Sequence, residues 1–256
     1  MEMLDLLPAG PFTDIIVHDL SKYGGGYEGQ VIYHIKTACC TYAVDPQKNF
    51  VNLIAIHSAD LATITIRDLA NKQLEPFRHS QETFLIGGRN SDEIIRSMTS
   101  LNGKEISYLE KSLKPNQSST NGFLGTNDGL IETLLNDNRN VAAMGLTHQQ
   151  MALPLLVIVK AIDKADSFET VYRGVKLKVN IQGWMGKQYS PFGDHLSSSR
   201  DVTVTNVETG AHIEFSEMLG GLIYKYGFYE GRGTSYRLEP KQIADVFGLL
   251  QPAPKP

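Results

Sequence analysis

An α+β fold, with a mixed or mostly antiparallel sheet, a central buried helix and C-terminal helices, is what this sequence predicts, on three observations. Short stretches rich in β-branched and aromatic residues recur through positions 13–88. One later stretch, 151–162, is apolar nearly all round, the pattern of a helix covered on every side. The last third then reads as strand, hairpin, helix and helix, each change marked by a turn residue or a proline.

Taken in order, the first strand is expected near 15–20. Val31, Tyr33 and Ile35 alternate with Ile32, His34 and Lys36, and further strands are expected at 51–56, 61–66 and 84–86. Ser91 is a good N-cap followed by Asp92 and Glu93, and Ile94, Ile95, Met98 and Leu101 share one helical face up to a stop at Asn102-Gly103. Residues 114–129 are rich in Asn, Ser and Gly, which reads as a linker or long surface loop. A helix follows from about Leu130. Thr147-His148-Gln149-Gln150 has the form of a capping box at the head of the buried helix, with Pro154 as its first turn or a kink.

Val175, Leu177, Val179 and Ile181 alternate with polar residues, as in a strand with one wet face. Residues 202–206 and 212–215 flank Glu208-Thr209-Gly210 as a hairpin. Leu219, Leu222, Ile223 and Tyr226 form a stripe ended by Gly227, and Pro240 opens a last helix carrying Ile243, Val246, Phe247 and Leu250. The expected organisation is a strand-rich part over 1–113, the linker at 114–129, a second part over 130–250 and a tail at 251–256, the two parts being separate or one continuous domain.

Composition narrows the function classes. Hydrophobic residues at 41% and charged residues at 20% are those of an ordinary globular chain. A formal net charge of -4 without a basic run argues against nucleic acid or an anionic membrane as partner. The two cysteines, Cys39 and Cys40, are adjacent and point to opposite faces of a strand, so they suit a thiol-reduced, cytoplasmic setting. The apolar run at 153–159 is too short to span a bilayer.

Two similar strings stand near opposite ends: Tyr23-Gly24-Gly25-Gly26-Tyr27-Glu28-Gly29 and Tyr226-Gly227-Phe228-Tyr229-Glu230-Gly231. The glycines of the first match the dinucleotide fingerprint in form, but a strand pattern follows where a helix is needed to face the pyrophosphate. With Val31 they also resemble the protein-kinase glycine-rich loop, and Arg200-Asp201 with Asn206 has the spacing of a kinase catalytic loop. The Val-Ala-Ile-Lys and Asp-Phe-Gly signatures are missing, and Ser199 stands where His is expected, so the match is coincidence.

The second string runs on through Arg232, Thr234 and Arg237. A Glu230 shielded by Tyr229 and glycines would have a raised pKa suited to acid–base work, and Arg232 or Arg237 would hold an anion; the simpler alternative is a Glu230–Arg ion pair. Residues 183–200, about 18 positions between two expected strands, exceed ordinary loop length and collect Trp184, Asp194, His195, Ser197 and Arg200. His195 with Asp194 offers a partner for Glu230, while Glu28 and Tyr27 are the matching pair of the first string. The seven histidines show no metal-binding spacing; His148, in a helix's first turn, reads as a neutral ring that could bind substrate or, more simply, as a surface residue, and the sequence names no cofactor.

No catalytic signature is complete. The expectation is therefore a non-catalytic binding or assembly protein, presenting Tyr27, Trp184, Phe228 and Tyr229 to a protein partner or small ligand. The alternative is a hydrolase or transferase acting on a small polar or anionic substrate through Glu230 and His195.

Overall fold

The computed structural model describes residues 12–19, 31–37, 40–45, 50–56, positions 92, 95 and 96, and then 98–162 and 167–250. The string around Tyr27 and Glu28, Cys39, the strands expected at 61–66 and 84–86, and the tail at 251–256 lie outside the described residues. The chain divides into two compact units, Met1–Tyr108 and Leu109–Pro256. The fold is α+β, with antiparallel sheets as expected.

In the first unit β1 (Phe12–Asp19), β2 (Val31–Thr37), β3 (Cys40–Asp45) and β4 (Phe50–Ile56) form a meander in sequence order, each strand antiparallel to the next. Ile15 and Tyr33 are fully buried from this sheet, as are Ile95 and Leu101 further along the unit. Asp92, Ile95 and Arg96 are helical, as their spacing predicts, but Asn102-Gly103 is not the helix stop. It is the turn of a two-stranded hairpin, β5 (Ser100–Leu101) with β6 (Lys104–Glu105). Asn102 at φ 53° and Gly103 at φ 77° are both left-handed, the conformation that makes Asn-Gly the favoured two-residue hairpin turn. The Asp14 carboxylate ties this turn to β1 by accepting from the Ser100 hydroxyl and the Gly103 amide.

α1 (Ile106–Leu113) begins in the first unit and ends in the second, which carries α2 (Leu130–Ala143) and α3 (His148–Ala161), a sheet of β7 (Ser167–Tyr172), β8 (Val175–Tyr189), β9 (Ser197–Asn206) and β10 (His212–Ser216), then α4 (Leu219–Tyr226) and α5 (Pro240–Val246). The sheet order is β10-β9-β8-β7. Leu177, Val179, Val202, Val204, Ile213 and Phe215 face a core completed by α3, α4 and α5, while Lys176, Lys178 and Asn180 stay exposed. Alternation with one wet face predicted this orientation. No single helix among the described residues is long and apolar enough to cross a membrane.

The expected capping box is present: Gln150 N donates to Thr147 Oγ1 and Thr147 N to Gln150 Oε1. Pro154 sits inside α3, beyond its first turn. The long connection expected at 183–200 is a correction. β8 continues to Tyr189 and β9 starts at Ser197, with the register resuming at Gln188↔Ser198 after a bulge, so the connection is only 190–196. The bulge turns Trp184 and Met185 outward at a left-handed Gly186, which hides the strand period from the sequence.

Candidate functional site

The richest polar cluster among the described residues forms where the segment after α4 meets α2. α4 ends at Gly227, φ 63°, a left-handed C-cap that glycine adopts without a Cβ clash. Phe228 and Tyr229 then enter the core fully buried, and Glu230 turns the chain again at φ 65°, uncommon for a residue other than Gly, Asn or Asp. Phe228 and Tyr229 therefore do not present an interface. Phe228 packs edge-on against Phe192, which stacks on Tyr226 at 4.3 Å.

Arg237 holds this segment in place. Nη1 donates to Asp137 Oδ2 and to the Glu230 carbonyl, each at 2.7 Å. Nη2 donates to Asp137 Oδ1 at 2.6 Å and Glu239 Oε2 at 3.1 Å, and Nε to Glu239 Oε1 at 3.2 Å. A guanidinium has five N–H donors, and all five are engaged. Arg237 is a clamp between the loop, α2 and the head of α5, all its donors bound within the protein, and it also lines a cleft. Burial raises the Asp137 carboxyl while Arg237 opposes that rise, and the same arginine lowers Glu239.

Among the described residues Glu230 makes no ion pair with an arginine: the Arg237 guanidinium takes the Glu230 carbonyl, and the side chain goes elsewhere. Oε2 lies 3.1 Å from Thr234 Oγ1, and Oε1 is buried with no hydrogen-bond partner among the described residues. Burial pushes the carboxyl up to about 8, with Thr234 and Arg237 acting in the opposite direction. The raised pKa expected of a shielded glutamate is thus present.

One residue earlier, the Tyr229 hydroxyl is 2.9 Å from His148 Nδ1. His148 is fully buried, which corrects its reading as a surface residue. The capping box fixes the start of α3, and the next side chain points inward. Burial pushes its imidazole down to about 3 and the Tyr229 phenol well above its ordinary value. Both groups are neutral, so a single hydrogen bond joins Tyr229 Oη and His148 Nδ1, and Nε2 is buried without a partner among the described residues.

Beside this network lies a cleft of about 210 Å³ lined by Asn127, Asp128, Gly129, Glu132, Thr133, Asn136, Arg232 and Arg237. One wall is the loop before α2. Lys114 Nζ pins it by donating to the carbonyls of Gly125 and Thr126 at 3.0 Å and to that of Asp128. Glu110 Oε2 accepts from Leu130 N at 2.8 Å at the head of the helix. The other wall is the turn carrying Arg232, joined by Gly231 N donating to the Phe123 carbonyl at 2.7 Å. Arg232 is exposed. Residues 114–129, expected as a linker or loop, are thus a pinned loop inside the second unit.

The remaining expected residues stand elsewhere. Asp194 is in the β8–β9 turn, where it accepts from Tyr226 Oη at 2.9 Å and Leu196 N at 3.1 Å and lies 3.9 Å from Lys225 Nζ. His195 follows it, exposed and left-handed at φ 63°. Neither lines the cleft, whereas His148 is the imidazole tied to the Tyr229-Glu230 segment. Arg200 pairs with Glu217 at 2.6 Å. Trp184 is largely exposed but donates to Asp201, which also accepts from Tyr236 Oη at 2.6 Å.

Sequence reasoning missed Asp137, Lys114 and Thr234. For Asp137 a signal exists: Leu130, Leu134 and Val141 mark the inner face of α2, and Asp137 falls on it, where a charge requires a partner. Lys114 carried no comparable signal, because its bonds depend on how the following loop closes. Among the described residues no group of three or more His, Cys, Asp and Glu side chains is arranged to hold a metal ion. No protein-family model, curated protein or solved structure matches this chain.

Proposed function

We propose that the second unit is a binding module for a small polar molecule carrying both an anionic group and amine or hydroxyl donors. The observation that carries this reading is the lining of the cleft, in which every residue is polar or glycine. Most of the surface such a lining offers a ligand is polar. The volume, about 210 Å³, lies below the roughly 300–1,000 Å³ of drug-sized pockets. With Arg237 saturated, exposed Arg232 is placed to meet the anion. Asp128 and Glu132 accept from the ligand's donors, while Asn127, Thr133 and Asn136 orient it. The charges are mixed, which favours a zwitterion or hydroxy acid over a simple anion.

The test is saturation-transfer NMR on the full chain with α-amino acids and small hydroxy acids, with and without inorganic phosphate as competitor. Transfer to an amino or hydroxy acid, lost in Arg232→Ala, is the expected result. Transfer abolished by an equal concentration of phosphate, or transfer that survives Arg232→Ala, overturns the reading.

A further inference from the structure

The turn carrying Arg232 is closed by Thr234, whose amide donates to the Gly231 carbonyl at 3.3 Å. The Thr234 hydroxyl reaches two acceptors, the same carbonyl at 2.9 Å and Glu230 Oε2 at 3.1 Å. A hydroxyl has one proton to give. If Glu230 were a carboxylate, the two acceptors would compete for it. If Glu230 is the neutral acid, both contacts are satisfied at once: Oε2–H donates to Thr234 Oγ1, which donates on to Gly231.

We propose that Glu230 is a proton-controlled latch on the cleft, its neutral acid holding the Thr234 hydroxyl on the Gly231 carbonyl and its ionisation drawing that hydroxyl away to loosen the turn that carries Arg232. The latch rests on the binding reading only for its consequence, the release of ligand at high pH.

The groups around Glu230 fit a neutral acid. Arg237 is the cation that acts on it, but Asp137 of α2 and Glu239 already share that charge. Tyr236 senses the charges of Glu230, Asp201 of β9 and Glu214 of β10. Asp128 of the pinned loop sits against Gly231, and His148 of α3, neutral through burial, is reached through Tyr229. No uncompensated cation among these groups favours the carboxylate, in keeping with a carboxyl pushed up to about 8. Movement of the turn has a direct route to the cleft wall. A Cβ on Gly231 would lie 2.6 Å from Asp128 Oδ2, and one on Gly125 2.3 Å from the Arg232 carbonyl.

The experiment is a carbon-detected NMR titration of glutamate carboxyls in the full chain from pH 5 to 10, without ligand, alongside proton–nitrogen spectra. One carboxyl titrating near pH 8, absent in Glu230→Gln, with the Gly231, Arg232 and Asp128 amides moving at the same midpoint, is the expected result. A Glu230 that ionises below pH 6 overturns the latch. So does a Glu230 that titrates while those amides stand still, or amide movement that persists in Glu230→Gln. Should Glu230→Gln fail to fold, Thr234→Val serves instead. It keeps the carboxyl and removes the relay, so the midpoint should vanish from the Gly231 and Arg232 amides, and its persistence there counts against the latch. Because no ligand is present, failure of the latch and failure of ligand binding are read separately.

Discussion

Glu230 and His148 are two buried titratable side chains whose protonation opposes in sign, and together they shape stability against pH. Glu230 rises from 4.5 to about 8 on folding. Between those values the folded chain holds a proton the unfolded chain has lost, so its contribution is full below pH 4.5 and falls as pH rises to about 8. His148 drops from 6.5 to about 3. Between those values the unfolded chain holds the extra proton, so its contribution is full above pH 6.5 and falls as pH drops to about 3. From 4.5 to 6.5 the two contributions oppose each other, and the raised Asp137 carboxyl acts in the same direction as Glu230. The expected profile is a broad maximum with a decline on either side, checked by urea denaturation at a series of pH values. Glu230→Gln should flatten the alkaline decline between pH 6.5 and 8, and His148→Gln the acid one between 4.5 and 3. A decline unchanged in either variant refutes that assignment. The raised carboxyl was legible in the sequence because aromatic and glycine neighbours imply shielding. The saturation of Arg237 was not, because its partner Asp137 is 100 positions away and only the fold brings the two together.

At the scale of elements, the cleft depends on two irregular segments approaching within backbone contact, and glycine permits it. A Cβ at position 231 would stand 2.6 Å from Asp128 Oδ2, 2.7 Å from Leu124 Cα and 2.8 Å from Gly125 N. Two of these three are backbone atoms and cannot swing aside. Gly231→Ala is therefore expected to cost about 1–3 kcal/mol, the usual range for overpacking, and to shift the amides of residues 124–128 in NMR spectra. A variant as stable as the parent, with those amides unmoved, would show that the walls are not in close contact. Regular elements were easier to read than these segments. Thr147 with Gln150, and Pro240 at the head of α5, announced helix starts through their own chemistry. Asn102-Gly103 was misread as a helix stop because the same residue types serve both left-handed roles. β7 went unread, since in Ser167–Tyr172 the polar residues obscure the period and the left-handed Arg173-Gly174 turn is an unusual pair for a hairpin.

For the whole molecule, each unit brings its own sheet, and the second also brings the helices that cover its sheet. The main core cluster of that unit draws all its residues from 141–249, so its apolar face is met from within the same stretch of chain. A fragment of residues 106–256 keeps α1 whole and has about 150 residues, a length at which folded domains bury roughly 68–70% of the surface the extended chain exposes. It is expected to fold alone, with one cooperative urea transition. It should also retain a near-ultraviolet circular dichroism signal from the stack of Phe192 on Tyr226, whose rings are 18° apart in plane. The cleft gives a second check, because all its lining residues lie between 127 and 237. If the fragment is cooperative and binds the same small molecules as the full chain, the second unit is sufficient for both fold and site. A fragment with helical signal but no cooperative transition would mean that the core assigned to this unit does not sustain it, and that residues before 106 contribute to its stability.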